Sequence, residues 1–213
     1  MRKKINKTLA EVQQHVMVSM NSGVDFESRT IYLVGEVDAG MFHRFVTAFE
    51  VMDRINGHIR IVLSTPGGSE PDGYAIYDMM RMSRNPIIVE GYGSVQSIGA
   101  LILQGADLRL LAPECRVMIH NGSVEFGQAL NTDTLVAIGK EVGRNNKRYQ
   151  DVLASRSNLP SSKVKELVDQ ETYMSAAECV QWGFADGILN RRQLMIPKLE
   201  NNTKNKKKAK KKK

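Results

Sequence analysis

Apolar positions along the chain switch repeatedly between two periods, and the switching reads as strands followed by helices. Ile5, Leu9, Val12, Val16 and Met20 fall at helical spacing and predict an amphipathic first segment, ended by Asn21-Ser22-Gly23. The apolar run Thr30 to Gly35 predicts a strand. A helix is expected from Asp38 to Arg54, with Met41, Phe45, Ala48, Phe49 and Met52 as its core stripe. After the turn at Asn56-Gly57, Ile59 to Leu63 predicts a strand that runs into Pro66-Gly67-Gly68, and Asp72 to Met82 a helix carrying Tyr74, Ile76, Tyr77 and Met80. A third strand is expected over Ile87 to Gly91, a helix from near Ser97 to Gln104-Gly105, and two short strands over Leu108 to Leu111 and Arg116 to Ile119. Thr132 to Ser155 predicts a long helix with Leu135, Ile138, Val142, Tyr149, Val152 and Leu153 on one side. It is long for so sparse a stripe, so part of it is expected to pack against another subunit or stand away from the body. Pro160-Ser161-Ser162 and Ser175-Ala176-Ala177-Glu178 open two further helices, and Gly183 to Ile188 reads as a turn and strand.

Strands alternating with helices imply an α/β fold with parallel pairing, whose ligands sit beyond the carboxyl ends of the strands. Gly68, Ser97 and His120 all follow predicted strand ends. A glycine-rich loop can aim backbone N–H groups at an oxyanion, a serine at a strand-to-helix turn can attack, and a histidine can take its proton. Ser97 stands at the positive end of a predicted helix dipole, where an N-cap serine is also common; within this trio it is read as a nucleophile. Ser94, three residues earlier, is read as a turn residue. The N–H groups of Gly68 and Ile98 form the expected oxyanion pair, and the absence of a side chain at Gly67 lets a substrate approach the backbone. His15, His43 and His58 have no comparable context.

At 213 residues the chain has room for one domain with a full core. Its net charge of +7 suggests nucleic acid until it is located: eight lysines lie between Lys204 and Lys213, which leaves the remainder at about −1. The expected organisation is an N-terminal segment over 1–28, helical or cleavable, a single domain over 29–190, and a basic tail over 191–213. The tail is expected to be disordered and to serve as a solubilising tail, with contact to nucleic acid or an acidic partner as the alternative. Cys115 and Cys179 are too few for a disulfide framework and have no metal-ligand spacing, so both are read as buried thiols. No signal-peptide core or membrane-length apolar run is seen, and a cytoplasmic protein without metal or cofactor is expected.

In order, Gly35-Glu36-Val37, Ser64-Thr65-Pro66-Gly67-Gly68, Ala75-Ile76-Tyr77-Asp78-Met79-Met80, the Ser97 segment, Arg116-Val117-Met118-Ile119-His120, and Met174-Ser175-Ala176-Ala177-Glu178 with Trp182-Gly183 resemble the ClpP family, the proteolytic subunit of the Clp protease. The resemblance runs from about Arg29 to Leu189. It implies the ClpP/crotonase-like fold of strand–helix units with a protruding pairing helix at Thr132 to Ser155. It also implies a serine endopeptidase with Ser97 as nucleophile, His120 as general base and Glu171 as orienting acid. Glu171 stands where the family usually has aspartate, and Asp169 is a nearby alternative. The substrate-aligning strand corresponds to Gly122 to Gln128, one residue tighter than in the family, with Gly67, Gly122 and Gly127 as substrate-binding positions. The stretch from Ser97 to His120 is about two residues short.

The implied partners are further copies in stacked rings, heptameric by resemblance, a AAA+ unfoldase such as ClpX or ClpA, and unfolded protein or peptide substrates. Two departures bear on them. Arg60, Val62 and Met82 stand where unfoldase-docking members carry aromatic residues, and Gln170 replaces an arginine that helps register the two rings. A virus-type, ATPase-independent protease that matures capsid proteins is therefore carried beside the unfoldase-coupled reading. A catalytically weak ring scaffold, a crotonase-like acyl-CoA enzyme and a nucleic-acid-binding protein are further alternatives.

Overall fold

The computed structural model describes residues 22–124, 127 and 129–190, together with the isolated residues 8, 12 and 17. Of the expected first-helix stripe only Val12 lies among them, and the lysine tail lies outside them. The described elements, in order, are β1 (Val24–Asp25), β2 (Thr30–Val34), α1 (Ala39–Asp53), β3 (Ile59–Thr65), α2 (Glu70–Arg81), β4 (Ile87–Gln96), α3 (Ile98–Gln104), β5 (Leu108–Leu111), β6 (Arg116–Ile119), α4 (Thr132–Ser155), α5 (Ser161–Asp169), β7 (Thr172–Ser175), α6 (Ala176–Trp182) and β8 (Gly187–Ile188).

The expected core stripe of α1 is the set of residues it buries: Met41, Phe45, Ala48, Phe49 and Met52. Asp38 caps the helix by accepting the Met41 N–H. Phe45 and Phe49 stack with ring centroids 4.9 Å apart, and Phe45 is fully buried. Its truncation to alanine is worth about 3–5 kcal/mol on the scale of aromatic core deletions. α2 begins two residues earlier than the periodicity predicts, because Ser69 caps it and Pro71 is tolerated in a first turn, where no N–H is needed.

The sheet runs β1-β2-β3-β4-β5-β8, with β6 joined to β4 and β7 joined to β6. Pairing from β2 to β5, and of β5 with β8, is parallel as the alternating pattern predicts. Two antiparallel pairs depart from that expectation. The two-residue β1 folds back on β2 through a local turn, and β7 runs against β6.

Strand β4 is the element that positions the site. Its first half, Ile88 to Gly91, pairs with β5, whereas Ser94 to Gln96 pairs with β6. The strand is five residues longer than the sequence predicts, because Gly91 and Gly93 interrupt the apolar pattern; the pairing with β3 shifts register between Gly91 and Val95, and the strand then continues against β6. Continuing the second register by one step sets Ser97 beside Ile119, and the Ser97 N–H donates to the Met118 carbonyl at 2.8 Å. All of α3 is buried.

Beyond the sheet, Arg109 ties β5 to the last turn of the fold. Its guanidinium donates to Asp186 at 2.6 and 3.0 Å, to Gln104 Oε1 at 2.6 Å, and to the Arg156 carbonyl at 2.8 Å. Helix α4, ~36 Å long at 1.5 Å per residue, buries only Tyr149 and Leu153, both near its C-terminal end. Both cysteines are buried free thiols; burial pushes Cys115 up to about 11 and Cys179 up to about 12. Among the described residues no helix is long and apolar enough to cross a membrane, and no cluster of His, Cys, Asp and Glu could hold a metal ion.

Candidate active site

Ser97 sits between the end of β4 and the start of α3 with φ +55° and ψ −125°. A serine is strained in that region, and the strain turns its side chain out of the strand-to-helix path. Three contacts hold it there. The neighbouring β6 carbonyl accepts its N–H, the buried Tyr149 hydroxyl donates to its carbonyl at 2.9 Å, and Gly67 leaves no room for a side chain of its own beside it. A Cβ on Gly67 would lie 2.6 Å from Ser97 Cβ, and the residue has φ +106°, so position 67 excludes a side chain on two grounds.

His120 follows β6, which is paired with the distal half of β4, so the two chain ends deliver serine and histidine to the same place. Ser97 Oγ and His120 Nε2 are 2.8 Å apart. This is hydrogen-bond distance, at which an imidazole can take the hydroxyl proton as the oxygen attacks a carbonyl carbon. Both residues are half-buried, open enough for a substrate to reach.

The Pro66–Ser69 loop is pinned on both sides of Gly68. Val37 N–H donates to the Gly67 carbonyl at 2.8 Å, and Ser69 N–H to the Val37 carbonyl at 2.7 Å. Among the described residues no backbone hydrogen bond uses the Gly68 N–H. Ile98 is the first residue of α3, so its N–H has no acceptor one turn back along the helix. Among the described residues, the N–H groups of Gly68 and Ile98 are thus without a backbone acceptor outside the helix.

The third expected residue is close in register but not in contact. Residues 116 to 119 of β6 pair with 175 to 172 of β7, so the next step sets His120 across from Glu171. The Glu171 carboxylate accepts instead from the Tyr173 hydroxyl at 3.0 Å, and the residue is exposed with φ +52°. Asp169 is also engaged elsewhere: Asn121 Nδ2 donates to it at 2.8 Å and Lys165 pairs with it, the Lys165 hydrogen bond being the main cause that holds its carboxyl below the usual range. Among the described residues, neither carboxylate contacts His120.

Of the expected substrate-binding positions, Gly67 lies against Ser97. Gly122 leaves the site two residues after His120, its N–H donating to Asn146 Oδ1 at 2.8 Å. Gly127 is described but residues 125, 126 and 128 of the same stretch are not, and among the described residues nothing lies within 4 Å of the Gly127 Cβ position. Tyr149 and Asn146 have contacts at the site that the sequence reading did not assign. Tyr149 was visible only as one member of the α4 stripe, and Asn146 carried no signal at all.

The Clp protease family profile matches residues 13–192. The chain belongs to the Clp protease family. Among curated proteins of that family it resembles the ATP-dependent Clp protease proteolytic subunit of Deinococcus radiodurans, with 29% identity over 168 residues, covering 77% of this chain and 81% of that protein. Membership in the Clp protease family supports a peptidase function and accounts for the mixed α/β architecture. The resemblance drawn from the ordered motifs is thereby confirmed at the level of family and fold.

Proposed function

We propose that the chain is a serine endopeptidase in which Ser97 attacks the peptide carbonyl and His120 takes its proton, then returns it to the leaving amine. The 2.8 Å approach of Ser97 Oγ to His120 Nε2 at a strained strand-to-helix turn carries this reading. The N–H groups of Gly68 and Ile98 stabilise the tetrahedral oxyanion. Glu171 orients His120 from across the β6–β7 pair once its side chain turns from Tyr173. Its position in register favours it over Asp169, which is bound to Lys165 and Asn121. Gly67, Gly122 and Gly127 line the path of an extended substrate, and the reaction uses no cofactor or metal.

The same reading extends to assembly. The exposed apolar residues Leu135 and Val136 on α4 are the contact by which copies pair into stacked rings, with the sites enclosed and unfolded chains or peptides as substrates. The protein acts in the cytoplasm. The curated relative is named for an ATP-dependent protease, and a AAA+ unfoldase is the corresponding partner here.

A second reading, ATPase-independent proteolysis, is favoured by one observation. Arg60, at a position where the family's docking residues are aromatic, forms an ion pair with the buried Glu90, whose carboxylate also accepts from the Tyr92 hydroxyl at 2.9 Å. Degradation of a folded substrate with and without an added unfoldase separates the two: stimulation supports the coupled enzyme, and none supports the independent one. The test of the chemistry itself is covalent labelling by a fluorophosphonate. Labelling lost in both Ser97→Ala and His120→Ala supports the peptidase; an unlabelled, folded wild-type protein overturns it.

A further inference from the structure

We propose that Glu70 makes the pocket beside Ser97 selective for a lysine or arginine side chain on the residue immediately preceding the cleaved bond. The inference rests on the peptidase reading and names the substrate class of that site.

Glu70 opens α2, two residues after Gly68. Gly73, one turn further on, has no room for a Cβ because Ile98 fills it, so the face of α2 shared by positions 70 and 73 looks onto the Ser97 turn. From the other side, a Cβ on Gly122 would collide with Glu70 Oε1. The carboxylate therefore lies beside the chain leaving His120, on a helix whose next turn packs against Ile98, and the proposal sets the acyl-side residue of a bound peptide against it.

The surroundings are polar and under-satisfied. Among the described residues Glu70 has no hydrogen bond and no ion pair. Tyr74 is 6% exposed, and its buried hydroxyl has no partner among them. Burial first, with the Glu70 charge also contributing, pushes the Tyr74 phenol up to about 12, and the same charge acts on Tyr149, which holds Ser97. Arg148 lines the same groove but is committed, stacked 3.7 Å over the Tyr74 ring and 3.6 Å from Asp78. A half-buried carboxylate without a cation calls for one. An ammonium or guanidinium group supplies the donors it lacks, and an aliphatic side chain in the same place leaves it desolvated and unpaired.

The test uses two fluorogenic peptides that differ only in lysine or norleucine before the scissile bond, with wild-type protein and Glu70→Gln. The expected result is a kcat/KM ratio favouring lysine by about tenfold to a hundredfold, the range of a charge-assisted hydrogen bond, and a ratio near one in Glu70→Gln. Hydrolysis with a wild-type ratio near one, or favouring norleucine, overturns the pocket and leaves the peptidase standing. If neither peptide is cut and fluorophosphonate labelling also fails, the peptidase reading falls, and the pocket is judged separately by calorimetric binding of benzamidine to the Ser97→Ala protein. Binding that weakens about tenfold or more on adding Glu70→Gln supports the cation pocket, and absence of binding overturns it.

Discussion

Helices α3 and α4 were both expected from the sequence, yet they have opposite fates. Every residue of α3 is buried by its own chain, whereas the first three turns of α4 leave Leu135 at 44% and Val136 at 50% exposure. The difference separates a seat from an arm. The seat is over-determined: β4, β6, Tyr149 and the Gly67 loop all fix Ser97, which is how a strained backbone persists. The arm is specified by its sequence but left largely uncovered by its own chain, and the proposed pairing of copies would cover it.

That contrast can be broken most decisively at the seat. Ser97→Ala should lower peptide turnover by about 10⁴-fold or more while size-exclusion elution stays unchanged. Turnover that survives the change would detach the chemistry from this serine. Next, Gly67→Ala should cost about 10²-fold in kcat, since a methyl group there displaces Ser97 by a sizeable fraction of an ångström. Steady-state kinetics at matched folded fraction is the check, and wild-type kcat would show that the loop yields. Tyr149→Phe removes only the hydroxyl that holds the Ser97 carbonyl. A fall in kcat of about three- to tenfold is expected, in line with about 1 kcal/mol for one hydrogen bond, with KM for a short peptide little changed.

At the arm the effects should be inverted. Leu135→Asp with Val136→Asp should dissociate the proposed assembly in sedimentation velocity, yet shift the urea stability of the isolated protomer by no more than about 0.5 kcal/mol, as for exposed sites. A large loss of protomer stability would show that the stripe is already covered within the chain.

The smallest expected effect concerns acid. Burial alone would raise the Asp186 carboxyl, but hydrogen bonds from the Arg109 side chain and backbone outweigh it and hold the group below its ordinary value. A depressed carboxyl contributes stability above its unfolded value, about 3.9, and loses it as pH falls through the folded value. The urea midpoint should therefore drop between pH 6 and pH 3, and Asp186→Asn should shrink that drop; an equal drop in both proteins would place acid sensitivity elsewhere.

What could be read beforehand followed burial. The α1 stripe was legible because buried apolar residues recur there at one period, and α4 because a sparser apolar stripe, buried only at Tyr149 and Leu153, keeps helical spacing. The end of β4 was not, because Gly91 and Gly93 break the alternation while the backbone goes on pairing with β6. Strand β7 was missed because only Met174 of its four residues is buried and Tyr173 faces outward. The candidate site was visible as three motifs, and the structure adds why they meet: one long strand divides its pairing between β5 and β6. The conformation of Glu171 was invisible, since positive φ at a glutamate has no sequence signature. Glu70 was passed over because the periodicity started its helix two residues later.

The two cysteines have a practical consequence. With both thiols buried and pushed well above neutral pH, neither supplies appreciable thiolate to an alkylating dye. A single cysteine introduced at position 135 would thus be the one fast-reacting group on the molecule. A fluorophore there could report, in real time and with both native cysteines left in place, when one copy meets another.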